Sequence, residues 1–496
     1  MSLLKKLAGE TAIYGISSIL SRLLNFVILT PYLTRAFVPG EYGVVSDMYT
    51  YAALLMVLFT FRMETAFFRF ASKKGQMDRT FSTATLFLLG STSILVVLLV
   101  SFSQQIADLL LYPDNRDYVI WFIFIIAFDT LAAIPFARLR LDNRPLRFAT
   151  IKTLNILINI GFIFLFLEGF PYLIEQGMSG INRLYDPENR ITYVFLANLM
   201  ASAVTMLLLL PEYRRLRFTF DQELWNQMMA YALPLVIVGL AAVTNQLLNL
   251  PLMKHYLPGS TAENIAQVGI YSACYKIAIL MSLFIQAFNY AAEPFFFRNA
   301  NRDDARHIYA QVGQAFAMVG SLGFLGIMLY LDIFKHLVDS NFWTGLGIVP
   351  ILLLAFFFLG LYYNFSIWFK LKDRTIIGAY ISVTGALITI SLNLVLLPRI
   401  GFYGAAYAAL ACYGFMACAS YLTGRYHYPI NYPIYRMLAY ILLALLFYGL
   451  STLYRPMLEG RWLLILPINT LVLLAYIALL YFLEKDRIRQ FLRPTA

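Results

Sequence analysis

Charge and cysteine are both scarce in this chain of 496 residues. Only 13% of the residues are charged, whereas 60% are hydrophobic and the mean hydropathy is +0.69. A soluble domain of this length must cover itself with polar groups, so the composition excludes an ordinary globular protein. Cys274, Cys412 and Cys418 all lie in apolar runs. This placement argues against a disulfide framework or a zinc knuckle.

The usual sequence signs of an enzyme are also missing. The four histidines are scattered in or near loops without metal-ligand spacing, and no phosphate-binding loop of the G-x-x-x-x-G-K-[ST] type occurs. The longest segment predicted outside the membrane on the outer side, residues 169–190, carries no catalytic constellation. We therefore expect no enzyme activity and no cofactor or metal, and a membrane glycan polymerase or ligase is disfavoured.

Long apolar runs recur along the whole chain. Runs of roughly 20 residues, the length a helix needs to cross a bilayer, recur about fourteen times, from residues 11–33 to residues 461–483. The first run is too long for a signal peptide, contains Arg22 and lacks a small-residue cleavage site, so we expect it to be retained. The prediction is an all-α integral membrane protein with about 14 transmembrane helices.

The net charge of +11 is distributed by topology rather than on one basic face. Lys and Arg number 25 at the two termini and in alternate loops, against nine in the opposite loops. Cytoplasmic loops retain positive charge. Both termini are therefore predicted to be cytoplasmic, in a multi-pass protein of the plasma membrane, and nucleic acid is not an expected partner.

An internal repeat divides the chain. Residues 42–69 align without gaps on residues 271–298 with seven of 28 positions identical, both ending in Glu-x-x-Phe-Phe-Arg. Nearly the same offset places LRLDNR at 139–144 on FKLKDR at 369–374. Because the offset spans an even number of helices, two six-helix lobes should be related by a pseudo-two-fold along the membrane normal. The predicted parts are residues 1–220 and 221–425 as lobes, and 426–496 as two additional helices with a tail.

The stretches VGIYSACYKIAILMSLFIQAFNYAAEPFFFR (268–298) and FDTLAAIPFARLRLDNRPLRFATIK (128–152) resemble bacterial oligosaccharide flippases of the polysaccharide-biosynthesis family. That family belongs to the multidrug/oligosaccharidyl-lipid/polysaccharide exporter superfamily. The resemblance implies a cavity for an undecaprenyl-pyrophosphate-linked oligosaccharide whose lipid tail stays in the bilayer. It further implies polysaccharide polymerase and chain-length machinery as partners, besides membrane lipids.

Basic and amide side chains inside the predicted spans are the candidates for binding such a substrate. A charge near mid-bilayer costs about 3 kcal/mol on insertion scales, so it tends to face a wet cavity or a partner. Arg22 and Lys276 lie far from the ends of their spans, and either could hold a pyrophosphate, form a structural ion pair or extend to the interface. The remaining candidates, which helix packing explains equally well, are Lys152, Asn155, Asn245 and Asn249.

Acidic side chains are the candidates for gating or for coupling to H⁺ or Na⁺. Asp47 and Lys276 occupy equivalent repeat positions, so they could pair as a gate, although each could instead pair within its own lobe. Asp129 in the fourth span suits ion coupling or a structural ion pair. Glu64 and Glu293 end their spans on the predicted cytoplasmic side, where an interfacial anchor competes with direct substrate contact.

The sequence thus favours transport by alternating access, from the cytoplasmic to the outer leaflet. A lipid II flippase or a cation-coupled drug antiporter of the same superfamily would share the fold and the repeat. An antiporter for cations should favour acidic cavity residues, whereas basic groups are prominent in the first, fifth and eighth spans. An anionic substrate is therefore preferred.

Overall fold

A computed structural model describes residues 23–73, 75–178, 180, 185–300, 302–372, 374–458 and 461–492. Within these ranges the chain forms helices and no β-strand. Among the described residues, thirteen helices are long and apolar enough to cross a membrane. Keeping the predicted order, we number them spans 2 to 14: Pro39–Ala71, Met77–Ser101, Arg116–Leu141, Pro145–Glu175, Arg190–Tyr213, Gln222–Leu247, Thr261–Arg298, Ala305–Leu329, Ser340–Leu371, Thr375–Ile400, Tyr403–His427, Ile434–Tyr454 and Leu463–Lys485.

The predicted all-α membrane fold is confirmed. Each apolar run from the second to the fourteenth corresponds to one span, because a run of this length buries its backbone polar groups in its own helical hydrogen bonds. The first run lies largely outside the described residues. Its described end is helical through Asn25–Leu29 and Thr30–Ala36, and Arg22 falls just before it.

The chain folds into two compact units, Met1–Gly269 and Ile270–Ala496. This boundary lies inside span 8, about 50 residues beyond the lobe boundary predicted at 220/221. The difference arises because span 7 and the short helix Asn249–Tyr256 pack against span 2 in the first unit. The lobes, as defined by the sequence repeat, remain a prediction about topology.

In the first unit, span 4 is the central helix and packs against spans 2, 3 and 6. Near the predicted cytoplasmic side, one hydrophobic cluster joins spans 2, 3, 4 and 7 through Phe67, Phe81, Ile134 and Met228. Fully buried aromatic and aliphatic groups of this kind hold the ends of these helices in fixed positions. In the second unit, span 12 packs on spans 10 and 11, while span 9 packs on spans 10, 13 and 14.

Span 2 is broken, whereas its repeat equivalent is continuous. Its two helices, Pro39–Thr60 and Met63–Ala71, are separated by Phe61 and Arg62, which have φ of 47° and 53°. Non-glycine residues rarely adopt this left-handed conformation, and two in succession are strained. Span 8 runs as one helix through the equivalent positions. Arg62, counted as a loop charge from the sequence, therefore lies within a span.

Candidate functional site

Asp47 in span 2 forms the centre of a buried ionic cluster. Its Oδ2 accepts from Lys254 Nζ at 2.5 Å and from the Tyr112 hydroxyl at 2.8 Å. Lys254 Nζ also donates to the Leu110 carbonyl at 2.6 Å and lies 4.2 Å from the centre of the Tyr112 ring. The side chains of Asp47 and Lys254 are both 0% exposed. We call Asp47, Tyr112 and Lys254 the Asp47 cluster.

The Asp47 cluster depends on three separate segments of the first unit. Lys254 comes from Asn249–Tyr256, Asp47 from span 2, and Tyr112 from the segment after Ser103–Leu109. Burial, and then the charge of Asp47, raise the pKa of the Tyr112 hydroxyl well above its usual value, so it remains a donor. Because each charge is satisfied only by the other segments, separating them would leave a buried charge unpaired.

A close backbone contact lies beside the Asp47 cluster. A Cβ at Gly43 would stand 2.0 Å from the Ile265 carbonyl oxygen, and one at Gly269 would stand 1.9 Å from that of Pro39. Only glycine permits spans 2 and 8 to approach this closely at these positions. Hydrogen bonds from the Asn264 amide to the Lys254 and Leu257 carbonyls fix the connecting loop.

The Asp47 cluster gives Asp47 a partner other than the two alternatives considered from the sequence, which were Lys276 and a group of its own lobe. Asp47 is paired with Lys254 because the helix that follows span 7 carries that lysine into the interior. Sequence reasoning had counted Lys254 only as a loop charge. Its position near the end of an apolar run gave no sign that its side chain would turn inward.

Lys276 is in a different environment. It lies in the interior of span 8, is half-buried, and has no carboxylate within 4.0 Å among the described residues. Aromatic rings surround the preceding turn, where Tyr271 and Tyr275 stack with centroids 6.1 Å apart. An ammonium group held in a membrane span without an acidic partner is available to an anionic ligand.

One face of span 6 holds polar groups of three other spans. Ser202 donates to Asp129 at 2.9 Å, and Asn155 donates to Thr205, also at 2.9 Å. One turn earlier, Asn198 donates to a tyrosine hydroxyl of span 2 at 2.7 Å. Asp129 and Asn155 are thus engaged in helix-to-helix hydrogen bonds, and Asp129 has no ion pair within 4.0 Å among the described residues.

Lys152 of span 5 lies close to the part of span 4 that carries Arg140. Lys152 is exposed, its Nζ is 4.2 Å from the centre of the Phe136 ring, and the charges of Asp129 and Glu64 act on it. One turn further along span 4, Arg140 Nη1 is 3.2 Å from Glu64 Oε1. Both members of the Glu64–Arg140 pair are about half exposed.

The second unit repeats this ion pair. Lys370 Nζ donates to Glu293 Oε1 at 2.6 Å, and both side chains are about half exposed. Glu293 is the repeat equivalent of Glu64, and Lys370 that of Arg140. Sequence reasoning found both motifs but did not join them, although their shared offset was a usable signal.

Two further candidates are placed less favourably for substrate contact, and a third is not described. Asn245 and Asn249 are buried in the first unit, at 5% and 6% exposure, at the end of span 7 and the start of the next helix. Arg22 lies outside the described residues. No group of three or more His, Cys, Asp or Glu side chains suited to a metal occurs in the described ranges.

Comparison with known proteins places the chain in a family. A family model described as "Polysaccharide biosynthesis protein" matches residues 7–300, more than half of the sequence. The chain belongs to the polysaccharide biosynthesis protein family. The resemblance drawn from residues 128–152 and 268–298 is thereby confirmed. No match was found among curated protein sequences.

Several solved structures have a fold similar to that of this chain. Lipid II flippase MurJ, in an inward closed conformation, is 14% identical and has a TM-score of 0.72, over 96% of this chain and 99% of that chain. An inward-facing multidrug resistance MATE family transporter of the MOP superfamily is 12% identical, with a TM-score of 0.63 over 87% and 95%. A Vibrio cholerae MATE transporter, VcmN, in its bent form is also 12% identical, with a TM-score of 0.55 over 89% and 98%. These likenesses, together with the thirteen apolar helices among the described residues, agree with the predicted multi-pass membrane fold.

Proposed function

We propose that this family member moves an undecaprenyl-pyrophosphate-linked oligosaccharide from the cytoplasmic to the outer leaflet by alternating access. Lys276 carries the proposal, because it is a cation within a span and has no acidic partner within reach in the described residues. A permanently empty anion site at this depth would only cost free energy. A pyrophosphate supplies the missing negative charge, and the lipid tail remains in the bilayer.

The Asp47 cluster is proposed to act as a gate on the outer side. Its buried ion pair joins segments of span 2 and of the helix after span 7, which belong to different lobes of the sequence repeat. Opening that side requires Lys254 to leave Asp47, so the ion pair is lost while both charges become hydrated. A ligand can favour one state only by binding it more tightly than the other.

Net transport in one direction requires a further source of free energy. Asp129 is proposed as the site where H⁺ or Na⁺ acts, because its carboxylate lies in a span and is hydrogen-bonded to Ser202 rather than ion-paired within 4.0 Å in the described chain. Glu64 and Glu293 are proposed to adjust the charge at the cytoplasmic ends of spans 2 and 8. Both termini would be cytoplasmic in a bacterial inner membrane, and a polysaccharide polymerase with its chain-length machinery would receive the product.

A second candidate is the flipping of lipid II, favoured by the TM-score of 0.72 to lipid II flippase MurJ. The two substrates share the undecaprenyl pyrophosphate and differ in the glycan and peptide that it carries. The cationic groups at positions 152 and 276 suit either, whereas they do not suit a cationic drug.

Reconstitution into proteoliposomes tests the proposal. Fluorescent undecaprenyl-pyrophosphate oligosaccharide, lipid II and a cationic dye would be offered in parallel, with protein-free vesicles as the control. We expect protein-dependent loss of the oligosaccharide lipid from the leaflet where it was loaded. Faster movement of lipid II would favour the second candidate. Movement of the dye alone would contradict both.

A further inference from the structure

We propose that Arg140 and Lys152 form a pyrophosphate-binding site in the first unit, and that Glu64 occupies it as a resident counter-ion until the substrate arrives. This inference rests on the proposed function and gives the substrate's pyrophosphate a first binding site, at the predicted cytoplasmic ends of spans 2 and 4, before it reaches Lys276. Sequence reasoning gave Lys152 a binding role but left Arg140 among the loop charges and Glu64 as an anchor.

The two cations share one helix face. Phe136 and Arg140 are four residues apart in span 4, so their side chains lie one above the other. Lys152 from span 5 covers the Phe136 ring at 4.2 Å, and Arg140 covers the Phe68 ring at 4.7 Å. The aromatic rings therefore hold both cationic groups on the same side of span 4, about one helical turn apart.

Glu64 is ion-paired with Arg140 at 3.2 Å, whereas the charges of both Asp129 and Glu64 act on Lys152. Lys152 has no ion pair of its own within 4.0 Å in the part of the chain that the structure describes. Two exposed cations, Arg140 and Lys152, thus lie beside the half-exposed carboxylate of Glu64, whereas Asp129 is only partly exposed and accepts a hydrogen bond from Ser202.

Exposure makes this counter-ion displaceable. Arg140 and Glu64 are 44% and 45% exposed, so the pair is hydrated and contributes little to stability. A pyrophosphate diester brings two negative charges and several acceptor oxygens, which suit the planar guanidinium fork and the nearby ammonium better than one carboxylate does. The incoming phosphates would release Glu64 to water without leaving a buried charge unpaired.

The second unit provides a matched control. The Glu293–Lys370 pair has the same repeat position, charge types and exposure. Its cation is a lysine without the guanidinium fork, and the position equivalent to Lys152 is not basic, because Ser382 follows the repeat offset of 230 residues. Neutralising the control pair should alter general charge in the same way but should not open a two-cation site.

Binding of farnesyl pyrophosphate to the purified full-length chain in detergent, measured by calorimetry, tests the site. Relative to wild type, Glu64→Gln should bind about threefold more tightly, since it removes a competing half-exposed charge. Arg140→Ala and Lys152→Ala should each bind about tenfold more weakly through loss of charge-assisted hydrogen bonds. Arg140→Lys should bind more weakly than wild type but more tightly than Arg140→Ala. Glu293→Gln and Lys370→Ala should bind within about twofold of wild type.

The possible outcomes distinguish a failure of this inference from a failure of the proposed function. Unchanged binding in Glu64→Gln and Arg140→Ala, with wild type still flipping the oligosaccharide lipid, would overturn the inference alone. Equal effects in Glu64→Gln and Glu293→Gln would also overturn it, because they would indicate a general charge effect. If the Arg140→Ala variant does not fold, the binding affinities of Arg140→Lys and Glu64→Gln decide the test. Failure of wild type to flip any pyrophosphate lipid would contradict the proposed function itself.

Discussion

Spans 2 and 8 descend from equivalent positions of the repeat yet have diverged in three ways. Asp47 in span 2 is fully buried and paired, whereas its equivalent, Lys276, is half-buried without an acidic partner in the described residues. Span 2 is broken at two left-handed residues, whereas span 8 is continuous. Both retain an ion pair from their final Glu to a neighbouring span. The repeat thus preserves the position of each helix, whereas the charged groups inside the two helices have different surroundings.

The largest expected effect on stability concerns Asp47. Asp47→Asn or Lys254→Met should each destabilise the fold by about 3–5 kcal/mol, because one buried charge is left unpaired. Thermal unfolding of the detergent-purified variants measures this. The double variant Asp47→Leu with Lys254→Met should recover most of the loss. A double variant as unstable as the sum of the singles would show that the two charges are not coupled.

Glycine substitution should separate the broken span from the continuous one. At Arg62 the backbone is left-handed, so Arg62→Gly should stabilise by about 1 kcal/mol. At Tyr290, the equivalent of Phe61 within the helix of span 8, Tyr290→Gly should destabilise by about 1 kcal/mol or more. Opposite shifts in melting temperature are expected. Destabilisation at both positions would mean that the Arg62 side chain contributes more than the strain of its backbone.

The smallest effect should come from the ion pairs that both spans retain. Glu64→Gln and Glu293→Gln should each change stability by less than about 1 kcal/mol, because their pairs are half exposed and hydrated. Melting temperatures at low and high salt provide the measurement. A loss above 2 kcal/mol in either variant would indicate that its pair is structural, and would remove the exchangeable role proposed for Glu64.

Hydropathy predicted the fold because spans need long apolar runs, and the described spans confirm thirteen of them. The repeat predicted that Glu64 and Glu293 occupy equivalent places, which their matching ion pairs support. The break at Phe61 and Arg62 could not be predicted, since neither glycine nor proline marks it. Here tertiary packing overrides local preference.

Lys254 could not be identified from the sequence as the partner of Asp47, for a physical reason. Charge counting assigns a lysine near a span end to the interface, whereas Lys254 turns inward on a short helix whose direction depends on tertiary contacts. Arg140 is likewise counted as a loop charge, although it lies in span 4 and pairs with Glu64. Binding of substrate by Lys276 and Lys152 depends on the shape of the cavity and on the identity of the ligand. A single sequence specifies neither.

The most direct test compares the equivalent positions 47 and 276 in one transport assay. Lys276→Met would be reconstituted beside wild type at equal amounts of folded protein, and the rate of movement of fluorescent undecaprenyl-pyrophosphate oligosaccharide would be measured. We expect at least about a tenfold lower rate, since a charge-assisted contact to the phosphate is lost, and a melting temperature that does not fall, because no ion pair is broken. An unchanged rate would contradict the assignment of Lys276 as the anion site.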